Sequence, residues 1–350
     1  MVKITDVARH AGVAPSTVSY ALSGKRPISA ATRRRVEEAI RVLGYRPHPG
    51  AWGTGGRRSN VLALVAPLRD GALTSAVAEC ALSVTTAARR LDHDVLLVLR
   101  EEGGHGEDGH GEDGHGVDGL RRVADGAAAD ALIVMDARTR DARTPLLLRS
   151  LGRPAVLIGS SAEPAGLTCV DLDFGAAGEL CVEHLAGLGH RVVALVGASP
   201  EVYLRGTGEA QRVVRGFTAA ADRHGLSSAV LPCPSSAAAA RAVAERLLRE
   251  RPALSGVVVH NEAVVEPLID AFEALGLRVP ADVSVVALRP SGPATDARQP
   301  VTSVDAPAAE LGARAVDLLA RKLNGTPVPE TTLLPPRLTP RTTTSPRTPA

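Results

Sequence analysis

Three histidines, His105, His110 and His115, stand five residues apart in the stretch GGHGEDGHGEDGHGVDG, each followed within three residues by Glu or Asp. Imidazole and carboxylate together can ligate zinc or nickel. Glycine throughout the repeat builds no rigid face, however, and ordering each residue costs ~1–2 kcal/mol of backbone entropy. A defined metal site needs a fixed ligand number and geometry, so the repeat reads as a solvated loop insertion of weak metal affinity. Other signatures of chemistry are missing. The chain has no GxSxG, no P-loop and no HExxH, and the lone Gly-Thr-Gly at 206–208 lacks the strand and helix of a nucleotide fingerprint. His184, His190 and His260 are scattered singly. The sequence therefore reads as non-enzymatic, with no cofactor. A second group, Ser16, Thr17, Ser19 and Tyr20, bears hydroxyls within nine residues of a basic segment. Such side chains hydrogen-bond to base edges and phosphates.

The elements that must position that group are three short helices. Ile4, Val7, Ala8 and Ala11 recur at helical spacing, and Gly12 breaks the run. Pro15 opens a second helix at a first-turn position, where its missing N–H is harmless. Val18, Ala21 and Leu22 give it one apolar face, and Gly24 ends it. Ser29 is a good N-cap for a third helix lined by Val36, Ala39, Ile40 and Leu43, with Gly44 as its terminator. Residues 1–58 carry 11 Lys and Arg against 3 Asp and Glu, net +8, whereas residues 59–350 carry 29 against 35, net −6. A basic head on an acidic body suits a polyanionic partner. Helix, Gly turn, helix and a supporting third helix describe a helix-turn-helix DNA reader; a plain three-helix bundle with a solvated basic face is the alternative.

From residue 61 the pattern changes to apolar runs alternating with helices. VLALVAP (61–67), DVLLVLR (94–100), ALIVMD (131–136) and PAVLIG (154–159) read as strands, with helices over 74–91 and 117–126. The pattern restarts with a helix over 175–188, a strand over 191–197 and a helix over 209–225, and continues to the strand DVSVVAL (282–288) and a helix over 308–325. This predicts two doubly wound α/β lobes, with a break near 160 and a crossing back near 290. Two such lobes enclose a cleft at strand C-termini, a common small-ligand position. The last ten residues, 341–350, rich in Thr, Pro and Arg, read as a disordered tail. Four cysteines, at 80, 169, 181 and 233, show no CxxC spacing and fit a reducing cytosol. The N-terminus has no apolar signal core, and no run approaches the ~18 apolar residues of a membrane span, so a cytoplasmic location is expected.

The run VKITDVARHAGVAPSTVSYALSGKRPISAATRRRVEEAIRVLGYRP, together with GELCVEHLAGLGHRVVALVG, ALGLRVPADVSVVAL and LLPPRLTPRTTT, resembles the lactose-repressor/galactose-repressor (LacI/GalR) family from residue 2 to about 344. The resemblance implies a small all-α helix-turn-helix headpiece over 1–46, a hinge over 47–59, and a two-lobed α/β core over 60–340 similar to periplasmic sugar-binding proteins. It implies a sequence-specific DNA-binding regulator, in its commonest form a repressor. Such a regulator works as a homodimer on an inverted-repeat operator and is controlled by a small-molecule effector, a sugar being one candidate.

Carried over, base reading falls on Pro15, Ser16 and Tyr20, and phosphate contacts on Thr17, Ser19 and Ser23. Many relatives have Arg where this chain has Tyr20, so the preferred operator is expected to be atypical. The hinge departs further. Pro49, Gly50, Gly53, Gly55 and Gly56 are poor for a helix, and the minor-groove wedge position falls on Thr54, with Trp52 as a substitute wedge and Arg57 as a phosphate contact. A flexible linker is the other reading. In the cleft, the family's Asn-Asp pair falls on Asn261 and Glu262. The position of its effector-binding Arg falls on Val213, with Arg212 one residue away. Asp70, Asp171, Asp173, Tyr203, Arg205 and Thr207 complete the candidates. Two alternatives remain: a metal-responsive regulator acting through residues 104–116, or a small-molecule binding module with degraded DNA specificity.

Overall fold

The computed structural model of the chain describes residues 3–23, 26–43, 59–68, 74–101, 129–135, 148, 152–159, 166–204, 208–290 and 299–347. At the N-terminus, α1 (Ile4–Ala11), α2 (Pro15–Ser23) and α3 (Ala30–Leu43) appear where the apolar spacing places them. The Ser29 hydroxyl accepts from Thr32 N at 3.1 Å, capping α3 as the sequence suggests, and at the start of α1 Lys3 donates its backbone N–H to the Asp6 carboxylate at 2.9 Å. Val7, Ala8, Ala11, Val18, Val36 and Ala39 form one small buried core.

The body contains two six-stranded sheets. In the first, β1 (Val61–Leu68), β2 (Asp94–Glu101), β3 (Ala131–Met135), β4 (Ala155–Ile158), β5 (Thr168–Leu172) and β11 (Thr331–Leu334) lie in the order β11-β5-β4-β3-β1-β2, all pairings parallel. In the second, β6 (Val192–Gly197), β7 (Ser227–Pro232), β8 (Gly256–Val259), β9 (Ser284–Pro290), β10 (Thr302–Ala306) and β12 (Arg337–Thr339) lie in the order β12-β10-β9-β8-β6-β7, with β12 alone antiparallel. The central strands are buried on both faces, which is why they read as unbroken Val, Leu, Ile and Ala runs rather than as alternating patterns. Helices α4 (Ser75–Arg89) and α10 (Ala308–Leu323) pack together on the first sheet. On the second sheet, α5 (Phe174–Gly187) and α7 (Gly208–Arg223) cover one face, and α8 (Ala237–Glu250) and α9 (Val265–Ala274) cover the other. A short helix, α6 (Pro200–Leu204), precedes α7.

The chain changes sheet three times: between Leu172 and Phe174, between Ala306 and Ala308, and at 335–336. The break expected near 160 lies instead at 173, because TCVDL forms β5 of the first sheet; its Thr and Asp obscure an apolar strand. The return expected near 290 lies at 307, because TSVDA is one more strand of the second sheet. The expected disordered tail is also corrected over 341–347. Thr343 is fully buried, donates to Val285 O at 2.7 Å and accepts from Thr302 N at 2.9 Å, and Arg347 N donates to Leu188 O at 2.7 Å. Hydroxyl side chains that cap backbone groups of β9 and β10 explain a Thr-rich composition that resembles disorder.

Candidate functional site

On α2, Pro15, Ser16 and Ser19 are exposed, whereas Val18 between them is fully buried against α1 and α3. The helix therefore presents one polar edge outward. Thr17 and Tyr20 are half-buried at the margin of that edge, and Ser23 closes the helix. Sequence reasoning missed the neighbour of Tyr20: the Arg26 guanidinium lies 5.4 Å from its ring centroid. This contact packs a cation on the ring at the margin of that polar edge.

The first sheet is left at the C-terminal end of β5 and the second at the C-terminal end of β10, so the C-terminal edges of both sheets border the crossings. Among the described candidates the structure brings Asp171 and Arg212 together. Asp171 sits on β5 of the first lobe and Arg212 on α7 of the second, and Arg212 Nη2 donates to Asp171 Oδ2 at 2.5 Å. The side chains are 7% and 21% exposed. Asp171 Oδ1 accepts from Leu172 N at 2.9 Å, and the Arg212 guanidinium lies 5.2 Å from the centroid of the Phe174 ring. Burial pushes the Asp171 carboxyl up from its ordinary value, and the charge and hydrogen bond of Arg212 oppose that shift without cancelling it. Val213, by contrast, is fully buried in the core of the second lobe. Arg212, one residue away, is therefore the side chain that reaches the junction. Asp173 caps α5, accepting from Ala176 N at 3.0 Å.

Asn261 follows β8. Its Nδ2 donates to Cys233 O at 2.7 Å and to Ser235 Oγ at 3.1 Å, tying the loop after β7 to the loop after β8. Glu262 begins the short 3₁₀ turn Glu262–Val264 that follows. Tyr203 lies on α6 with its hydroxyl buried, and burial raises its pKa. Asp70, Arg205 and Thr207, the hinge residues Trp52, Thr54 and Arg57, and the repeat histidines His105, His110 and His115 lie outside the described residues. Among the described residues no three His, Cys, Asp or Glu side chains are grouped to hold a metal ion. All four cysteines are buried, and the thiols of Cys80 and Cys181 are pushed up to about 12, which leaves them protonated and unreactive. No helix among the described residues is long and apolar enough to cross a membrane.

One further contact anchors the chain at the start of the body. The Asp130 carboxylate accepts from Ser59 N at 2.7 Å, Ser59 Oγ at 2.9 Å and Asn60 N at 2.8 Å. It clamps the chain where it enters β1, at the N-terminal edge of the first sheet. Nothing in the local sequence flagged Asp130, because its partners are some 70 residues distant.

Residues 3–48 match the model of the bacterial regulatory proteins of the lacI family, and residues 182–344 match the periplasmic binding protein-like domain. The HTH-type transcriptional regulator MalR of Streptomyces coelicolor is 30% identical over 341 residues, 93% of this chain and 92% of the relative. The chain belongs to the LacI family. It is a DNA-binding transcriptional regulator with a periplasmic-binding-protein-like core. The fold agrees with two solved LacI-family structures. The lac repressor dimer bound to operator and the anti-inducer ONPF has a TM-score of 0.74 and 24% identity, covering 98% of this chain and 99% of that one. A complex of the regulator CelR with cellobiose has a TM-score of 0.64 and 25% identity, covering 98% and 100%.

Proposed function

We propose that this LacI-family protein is a homodimeric repressor that reads an inverted-repeat operator with α2 and is controlled by a small-molecule effector bound between its lobes. The observation that carries the effector half is the Asp171–Arg212 pair, a contact that joins the lobes beside the first crossing. A ligand that changes lobe closure makes or strains this contact, and differential binding to two closure states is what shifts the equilibrium. Asp171, Tyr203, Arg212, Asn261 and Glu262 are the described residues assigned to the effector cleft. Pro15, Ser16, Thr17, Ser19, Tyr20 and Ser23 are assigned to DNA.

A surface for the second copy lies on the first lobe. The edge strand β2 exposes Leu96, Leu97 and Leu99, the last at 46%, and neighbouring α4 exposes Leu82 at 68%. An apolar edge with open backbone groups is a liability unless covered, and the lac repressor relative is a dimer. Leu82→Asp is expected to give monomers in analytical ultracentrifugation and to abolish cooperative operator binding.

The test of the whole reading is selection of bound sites from a random duplex library with purified full-length protein. Enrichment of an inverted repeat supports a dimeric, sequence-specific regulator. Retention that is sequence-independent and falls steeply with salt, about −0.9 per phosphate contact on a log–log plot, sinks it.

A further inference from the structure

Residues 341–347, RTTTSPR, dock on the second lobe with no aliphatic or aromatic side chain apart from Pro346, which is exposed. Hydrogen bonds hold them instead. Thr343 pairs with Val285 of β9 twice: its carbonyl accepts from Val285 N at 2.8 Å and its hydroxyl donates to Val285 O at 2.7 Å. Ser345 N donates to Ser284 Oγ at 3.1 Å, Ser345 Oγ donates to Pro280 O at 3.2 Å, and Arg347 N donates to Leu188 O just after α5. Each such bond contributes little net stability, so a segment docked this way depends on every donor meeting an acceptor.

Two imidazoles belong to this network. His184 Nε2 lies 3.1 Å from Thr344 Oγ1, Thr344 Oγ1 lies 2.9 Å from Thr302 Oγ1, and Thr302 Oγ1 accepts from Arg341 N at 2.9 Å. Thr302 is fully buried. Its single hydroxyl proton finds an acceptor in this chain only at Thr344. Thr344 then gives its own proton to His184, whose Nε2 has to be a bare acceptor. A charged His184 donates at that atom instead, the relay reverses, and the Thr302 proton is buried without an acceptor. His190, 2% exposed, bonds the backbone of Ser345 and places Nδ1 3.0 Å from Ser255 Oγ. With the ring donating to Ser345, Nδ1 accepts from Ser255, and a second proton turns that bond around. The surroundings offer no free anion. Asp282 is paired with Arg278, Asp305 with Arg341, and Glu179 and Glu183 with Arg223, while Arg191 is exposed beside His190. Arg347 and His184 both oppose a charge on His190, and burial lowers both imidazoles from the ordinary 6.5.

We propose that residues 341–347 are an acid-released strap, docked on the second lobe only while His184 and His190 are neutral. Once the strap is free, each imidazole regains its ordinary basicity and takes up a proton that the docked state resists. Docking is therefore fully favoured above the ordinary 6.5 and is lost as pH falls below it toward the lowered folded values. The strap also completes the anchorage of the last crossing. The chain that leaves the first sheet after β11 is otherwise held in the second sheet by β12, a strand of 3 residues. Acid release thus loosens one of the connections between the two sheets.

The test is hydrogen–deuterium exchange of the full-length protein, read by mass spectrometry at about pH 7.5 and about pH 5 and corrected for the intrinsic pH dependence of exchange. Peptides covering 341–347 are expected to lose protection about tenfold in acid, while β6, in the interior of the same lobe, keeps its own. In the double variant His184→Gln/His190→Gln, amides that donate and accept without titrating should keep the strap protected at both pH values. Equal protection of the wild-type strap at both pH values overturns the proposal. A loss shared by β6 is unfolding of the whole lobe and overturns it too, as does a double variant that opens only in acid, like wild type. If the double variant is open at both pH values, NMR titration of the wild-type imidazoles decides. A release midpoint that coincides with protonation of His184 or His190 supports the strap; a midpoint that follows neither, or protonation with the strap still protected, overturns it.

Discussion

The Asp171–Arg212 pair predicts an asymmetry between two substitutions. Arg212→Met leaves a carboxylate that is 7% exposed without its cation. Removing one partner of a buried pair costs about 3–5 kcal/mol; because Arg212 is itself one-fifth exposed, about 2–3 kcal/mol is the figure for this site. Asp171→Asn instead removes the desolvated charge. An amide oxygen can still accept from Arg212 and Leu172 N, and the guanidinium keeps its seat on Phe174 and a path to water, so the cost stays below about 1 kcal/mol. The sign of the pH dependence follows from the raised Asp171 pKa. A carboxyl whose folded value lies above its unfolded value contributes stability below the ordinary 3.8, and that stability is lost as pH rises through the folded value. Without Arg212 the folded value rises further. The Arg212→Met deficit is therefore small in acid and grows toward neutral pH. Scanning calorimetry of the ligand-free protein at acidic and slightly alkaline pH should show Arg212→Met falling by roughly 5–10 °C at the alkaline end, with Asp171→Asn near wild type. Equal losses in the two variants, or an Arg212→Met deficit that shrinks as pH rises, would refute the reasoning.

Tyr20→Ala is expected to weaken operator binding by about 1–3 kcal/mol and to relax preference at one base position; repeating site selection with the variant checks both. Gly216→Ala would bring a Cβ into collision with the Gly175 carbonyl oxygen, backbone against backbone where α5 and α7 touch, and should destabilise the core by about 2–3 kcal/mol in urea unfolding. Asp130→Ala removes three hydrogen bonds at an exposed joint, so stability should fall by only about 1 kcal/mol. Effector-dependent release of DNA should nevertheless be lost, as read by fluorescence anisotropy with and without ligand.

The headpiece was legible because every signal was local: apolar spacing, Ser29 as a cap, Gly12 and Gly44 as stops. The central strands were legible because burial on both faces leaves continuous apolar runs such as VLALVAP. The sheet assignments of β5, β10, β11 and β12 were not. These are strands of three to five residues with Thr, Ser or Asp among them, and each sits beside a crossing where polarity is retained. Tail residues 341–347 were misread for a related reason, since threonines that satisfy buried backbone groups look like those of a linker. Arg212 and Asp171 were both among the candidates, but their pairing was not legible, because the contact spans 41 positions and two lobes.

The two ends of β1 define what any control mechanism must accomplish. The linker to the headpiece is clamped by Asp130 at the N-terminal edge of the first sheet, while the cleft borders the C-terminal edge. Strand β1 is 8 residues long, which separates the two by about 26 Å. Between them lies a strand buried along six of its eight residues, close-packed like the rest of the core and unable to deform continuously. A signal from the cleft cannot travel along the strand by local adjustment. It has to move the first lobe as a body, pivoting on the three crossings at 173, 307 and 335–336 and carrying the Asp130 clamp with it. Three parallel tethers permit rotation and resist translation. The geometry thus favours an effector that changes the spacing of two headpieces in a dimer over one that unfolds a segment. It also explains why an ion pair placed beside the first crossing is a sensitive point for the equilibrium.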